Sequence, residues 1–127
     1  MEIIRLEDLE IYQLALEIGE GVWSIVDQWD HFPKSTIGKQ FVEAADSISA
    51  NIAEGYGRYF YKDRKAFCYY SRGSLMETKN WAFKSLKRNL LGQNEYEALI
   101  TKLQVLHYKL NIYIKKLKNN LPNAPIT

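Results

Sequence analysis

Ser47-Ile48-Ser49-Ala50-Asn51-Ile52-Ala53-Glu54-Gly55-Tyr56-Gly57-Arg58 is the stretch on which the fold turns. Ile48 and Ile52 continue a stripe begun by Ile37, Phe41 and Ala45, the period of a helix buried along one side. Ser47, Asn51, Glu54 and Arg58 follow at steps of four, three and four on one stripe, where a packing helix would carry leucines. Such groups need partners. Gly55 and Gly57 then turn the chain, and a second polar run, Arg72-Gly73-Ser74-Leu75-Met76-Glu77, can come alongside. The expected result is a buried ion-pair and amide network of Ser47, Asn51, Glu54, Arg58, Arg72, Ser74 and Glu77, because a half-buried glutamate needs an arginine and a buried asparagine needs its donors and acceptors used.

Working outward, Ile11, Leu14, Ala15, Ile18, Val22, Ile25, Val26 and Trp29 repeat at three and four and predict a helix over 7–29, which Asp27, Asp30 and Pro33 help to close. Ser35 or Thr36 is the expected cap of the helix over 36–55. A third helix is expected over 63–91, with Gly92 as its left-handed stop, and Asn94 caps a fourth over 94–118 whose Tyr96, Leu99, Leu103, Leu106, Leu110, Tyr113 and Leu117 keep a heptad-like spacing. Two prolines in 119–127 point to a loose tail. No stretch alternates with period two. Four helices with short connections in 127 residues read as one all-α domain, an antiparallel up-down-up-down four-helix bundle.

The third helix breaks the clean pattern. Phe67, Ser71, Ser74, Thr78, Trp81 and Ser85 share one stripe, Cys68, Leu75, Ala82 and Leu86 another about a quarter-turn away, and Tyr69 and Tyr70 point elsewhere. A helix with apolar groups on several sides needs cover on several sides, so it is the expected contact for self-association, with Tyr69, Tyr70 and Phe83 available.

Charge is unevenly distributed. Residues 1–57 hold three Lys/Arg against eleven Asp/Glu, net −8, whereas residues 58–88 hold nine against two, net +7. Either the helices attract one another or a basic surface meets an anionic partner. Gly57-Arg58-Tyr59-Phe60-Tyr61-Lys62-Asp63-Arg64-Lys65 interleaves aromatic rings with cations at the corner between helices two and three. Cations contact phosphates without sequence preference and exposed rings stack unpaired bases, so Arg58, Tyr59, Tyr61, Lys62, Arg64 and Lys65 are nucleic-acid candidates, extended by Lys84, Lys87 and Arg88. Lys79 adds charge to helix three, and Lys109, Lys115, Lys116 and Lys118 add it to helix four.

Chemistry finds little footing. His31 and His107 lie far apart without metal-ligand spacing, Gly55 and Gly57 lack a phosphate loop's third glycine and its preceding strand, and Glu54 with Glu77 is a weak acid–base pair without a nucleophile. No catalytic residue, metal or cofactor is expected. No apolar run approaches the roughly 20 residues of a membrane span. Met1-Glu2-Ile3-Ile4-Arg5 lacks the features of a signal peptide, and the single cysteine, Cys68, suits a reducing compartment, so a cytoplasmic location is expected.

Asp8-Leu9, Phe32-Pro33-Lys34, Gln40, Ala44, Ser47-Ile48, Asn51-Ile52-Ala53-Glu54-Gly55, Gly57-Arg58, Phe67, Gly73-Ser74 and Glu77 together resemble the proteins encoded by intervening sequences in bacterial 23S rRNA genes, from about Leu6 to Leu117. The resemblance implies a four-helix bundle assembled as a homo-oligomeric ring, a pentamer, with RNA as the suspected partner. A more distant likeness is to the accessory proteins of diversity-generating retroelements, which implies the alternative of a ring-shaped scaffold recruiting another protein without touching RNA. Neither brings catalytic residues. The chain departs from the family pattern at Glu43 and Asp46, which place negative charge on helix two and shift any RNA contact toward helix three.

Overall fold

Four helices account for the molecule in a computed structural model that describes residues 5–118; the tail expected over 119–127 lies outside the described residues. They are α1 (Glu10–Asp27), α2 (Lys39–Tyr56), α3 (Tyr61–Lys87) and α4 (Gln93–Lys118), and no strand occurs among the described residues. Contacts run in opposite order along each neighbouring pair, so each pair is antiparallel. Glu10 and Glu17 meet Lys109 and Lys102, Ile48 meets Ser71 while Gly55 meets Phe67, and Arg72 meets Asn111 while Phe83 meets Tyr96.

The core is the set of apolar stripes read from the sequence. Ile11, Ala15, Ile18, Val22 and Val26 of α1 pack with Phe41, Ala45, Ile48 and Ile52 of α2 and with Leu99, Leu103, Leu106 and Leu110 of α4, all buried. Each fully buried leucine or isoleucine contributes about 1.5–3 kcal/mol. On α3 the two stripes merge into one buried face of Cys68, Leu75 and Ala82 with Ser71, Thr78 and Ser85. Its hydroxyls are satisfied by carbonyls: Thr78 donates to Ser74 and Ser85 to Trp81 within the helix, while Ser71 donates across to Ile48 at 2.8 Å. Small side chains let α2 and α3 approach closely. A Cβ on Gly55 would stand 2.7 Å from Phe67 Cβ and 3.1 Å from the Arg64 carbonyl oxygen, so this glycine serves close packing inside α2 rather than a hinge.

Helix ends correct several expectations. A short 3-10 turn, Leu6–Asp8, and extended Leu9 precede α1, so the helix is shorter than 7–29. Ser35 and Thr36 cap nothing: His31–Pro33 already opens the second helix, with Asp30 as its extended first flank. Both hydroxyls instead donate to the Phe32 carbonyl inside a π-helical turn, Lys34–Gly38, that runs into α2. Pro33 is tolerated there because first-turn amides need no helical acceptor. The left-handed residue after α3 is Asn89 (φ 60), not Gly92. Leu90 N–H donates to Ser85 O at 2.9 Å and Asn89 N–H to Leu86 O at 3.1 Å, the paired bonds of a Schellman stop. Gly92 rather than Asn94 begins α4: its carbonyl accepts from Tyr96 N–H and its own N–H donates to Glu95 Oε1, which completes half of a capping box.

Candidate nucleic-acid interface

At 1.5 Å per residue, the 27 residues of α3 extend about 40 Å, and this length reorganises the candidate cations. Lys62, Arg64 and Lys65 stand at its start beside Arg58, whereas Lys84, Lys87 and Arg88 stand at its end, so the candidates form two groups roughly 30 Å apart at opposite ends of the bundle. Arg72 and Lys79 join them. Lys65, Arg72 and Lys79 recur at steps of seven, which places them along one line of the helix toward α4, and that regular spacing was visible in the sequence.

These cations are short of carboxylates. The acidic first half of the chain spends its charge elsewhere: Glu17 pairs with Lys102 at 2.9 Å and Glu10 with Lys109, both across α1 and α4, and Asp27 pairs with Lys34. Among the described residues, no ion pair engages Lys62, Lys65, Arg72, Lys79, Lys84, Lys87 or Arg88. Rings take the place of acids. Arg72 lies 5.0 Å from the centre of Tyr69, Lys84 5.1 Å from Trp81 and Lys87 5.3 Å from Phe83, while Arg58, which keeps an acid partner in Glu54, lies 4.7 Å from Phe67. A cation over a ring keeps its charge and its outward N–H donors, so this helix stays strongly positive.

Two corner candidates belong to the architecture. Arg64 is half-buried and donates from Nη2 to the Tyr56 carbonyl at 2.9 Å and from Nη1 to the Tyr113 hydroxyl at 3.3 Å, with its guanidinium 4.4 Å from the Tyr56 ring. It ties the end of α2 to α3 and α4, and its buried Nε has no hydrogen-bond partner. Burial pushes the Tyr113 hydroxyl up, against the opposing pull of Arg64, and pushes the Cys68 thiol one turn along α3 up to about 11. Tyr61 is half-buried and packs on the core. Tyr59, by contrast, is 63% exposed and stands edge-on to Phe60 at 4.8 Å.

The expected buried polar network is dispersed. Glu54 and Arg58 do pair, at 3.1 Å, but as a surface i,i+4 contact with side chains 57% and 45% exposed. Asn51 Nδ2 donates back to the Ser47 carbonyl, and Glu77 Oε1 accepts from Trp81 Nε1 at 3.3 Å. Arg72 turns away from the α2 acids and donates from Nη1 to Asn111 Oδ1 on α4 at 2.8 Å. The residues that hold polar order inside, Ser71, Thr78 and Ser85, were marked in the sequence by small hydroxyl side chains seven apart on a stripe shared with aromatics.

The remaining titratable groups sit on flanks. Asp46 stands against Gly19 where α1 crosses α2, and burial followed by the nearby Glu20 raises its carboxyl above the ordinary value. With exposed Glu43 it keeps the outer side of α2 acidic. His107, on α4, is held below its ordinary value by burial, then by Lys79 and Arg72. No group of three metal-ligating side chains occurs among the described residues, and no described helix is long and apolar enough to cross a membrane. A groove of about 330 Å³ between α1 and α2, lined by Trp23, Val26 and Val42 with Asp27, Lys34 and Glu43 at its edges, brings no nucleophile and base together.

The arrangement is therefore an acidic α1–α2 side and a cationic, ring-studded α3. Its backbone matches that of a protein of unknown function from the S23 ribosomal protein family of Bacteroides thetaiotaomicron with a TM-score of 0.75, covering 83% of this chain and 98% of that one. At 19% identity, that likeness bears on the fold alone. No curated protein matches the chain closely enough to count as a relative. The sequence profile of the 23S rRNA-intervening sequence proteins matches residues 7–112, and on that coverage the chain belongs to the 23S rRNA-intervening sequence protein family.

Proposed function

We propose that this chain is a non-enzymatic RNA-binding bundle that works in the cytoplasm as a homo-oligomeric ring, with five copies the expected number. One observation carries the reading: α3 holds a run of cations that no carboxylate of the described residues neutralises, interleaved with exposed or half-exposed rings. Unpaired cations release counterions from phosphates, and the rings give unpaired bases a surface to stack on. The family's name, which refers to an insertion in ribosomal RNA, agrees in direction. Acidic α2, with Glu43 and Asp46 outward, leaves α3 as the side that an RNA strand approaches.

A second reading has its own observation. Trp23, Phe32, Tyr108 and Ile112 are exposed and lie off the basic helix, with Tyr108 69% exposed, so apolar area is available for further copies or for another protein. A salt series with a labelled structured RNA decides between them. RNA binding predicts that log affinity falls linearly with log salt, by about 0.7–0.9 in slope for each phosphate engaged. Absence of RNA binding, or a flat salt response, favours the protein scaffold.

A further inference from the structure

His107 stands in an electrostatically one-sided place. Arg72 and Asn111 meet across the α3–α4 seam, and His107 precedes Asn111 by about one turn while Lys79 follows Arg72 by about two. Because the two helices run antiparallel, this order sets His107 between Arg72 and Lys79. Around it α3 offers Arg72, Leu75, Met76 and Lys79, and α4 offers Leu103, Gln104, Tyr108 and Asn111. The α1 carboxylates that reach α4, Glu10 and Glu17, are engaged by Lys109 and Lys102 on its other flank, and α2 packs chiefly on α1 and α3. His107, Arg72 and Lys79 are each half-buried, so all three reach the surface of a seam that presents cations and neutral donors without an acid.

We propose that this seam takes a phosphate group of the bound RNA between Arg72, Lys79 and a protonated His107, so that RNA binding draws a proton into the complex. The inference rests on the RNA-binding reading of α3 and names one place where the grip is made and how it is regulated. In the free protein, burial and the two cations disfavour a third positive charge, so the imidazole is neutral at neutral pH. A phosphodiester between them reverses the sign of the local field and favours the imidazolium. Asn111 occupies one Nη donor of Arg72, and a guanidinium has five N–H groups, so donors remain for the phosphate. By linkage, a ligand that raises the pKa of a group binds more tightly as pH falls through the interval between the free and bound values. Each pKa unit of that interval is worth about tenfold in affinity.

The test measures the affinity of a labelled RNA hairpin at fixed salt from about pH 5.5 to 8, the interval over which histidine changes charge. Wild type, His107→Gln and His31→Gln are compared, and the ring protons of His107 are titrated by NMR with and without the hairpin. We expect wild type and His31→Gln to bind more tightly toward acid, His107→Gln to lose that trend, and the His107 titration to move up on binding. RNA binding whose full pH trend survives in His107→Gln, or an unmoved His107 titration, overturns the inference and leaves the RNA-binding reading standing. A hairpin that binds at no pH and no salt overturns both.

Discussion

The two long sides of α3 solve opposite problems. On its closed side α3 buries Ser71, Thr78, Ala82 and Ser85 and comes so close to α2 at Gly55, through Phe67 and Arg64, that a methyl group has no room there; the polar bonds that cross end on backbone carbonyls, from Ser71 to Ile48 and from Arg64 to Tyr56. Toward α4 and solvent, Lys65, Arg72 and Lys79 enter no ion pair among the described residues, and Arg72 leans on the Tyr69 ring and the Asn111 amide. The same helix is therefore structural on one side and available on the other. Weak amphipathicity here marks a helix whose buried face is built from small hydroxyl side chains rather than from leucines.

The largest expected effect breaks the closed side. Gly55→Val places three carbons where one Cβ already stands 2.7 Å from Phe67 and 3.1 Å from a backbone oxygen, so overpacking should cost about 1–3 kcal/mol or more, read as a lower midpoint in urea unfolding. Gly73 is its counterpart on the open side, exposed in mid-helix with nothing within 4 Å of an added Cβ. Gly73→Ala should raise stability by about 0.5–1 kcal/mol by removing backbone freedom from the unfolded chain. A similar loss for both glycines would deny the contrast. A small effect is also expected at Arg58: its pair with Glu54 is a wet i,i+4 contact and its guanidinium lies over the Phe67 ring at an exposed site, so Arg58→Ala should cost about 1 kcal/mol, well short of a buried pair.

That last figure shows where reading the sequence stops. The stripes through Ile18, Phe41 and Leu106 were legible because apolar periodicity reports burial directly, and the family was legible in the Asn51–Gly55 run. The polar stripe misled because Ser47, Asn51, Glu54 and Arg58 can satisfy one another along their own helix, and periodicity does not separate that from a network between helices. Glycine roles were half legible. Gly55 was marked as special, yet its service is close approach, and the left-handed stop went to Asn89, whose short amide side chain tolerates that conformation. At the candidate interface, the basic and aromatic composition of residues 58–88 was plain, but its division was not: Arg64 and Tyr61 turned inward, while Arg72 and Lys79, spaced with Lys65 by sevens, became the link. An alanine at Arg64 is thus no clean probe of RNA binding, because it also cuts the ties to Tyr56 and Tyr113.

The central claim is that the open side of α3 grips phosphate, and the salt dependence of RNA affinity in a paired set of variants tests it most directly. Lys65→Ala, Arg72→Ala and Lys79→Ala combined removes the linking line of charge, while Lys102→Ala with Lys109→Ala removes cations already paired to Glu17 and Glu10. Folding of both is checked by their helical circular dichroism. The account predicts that the α3 triple variant binds more weakly and flattens the log–log slope by about 0.7–0.9 for each phosphate that is no longer gripped, with a clearly smaller change in the α4 pair. A folded triple variant with the wild-type affinity and slope would contradict it.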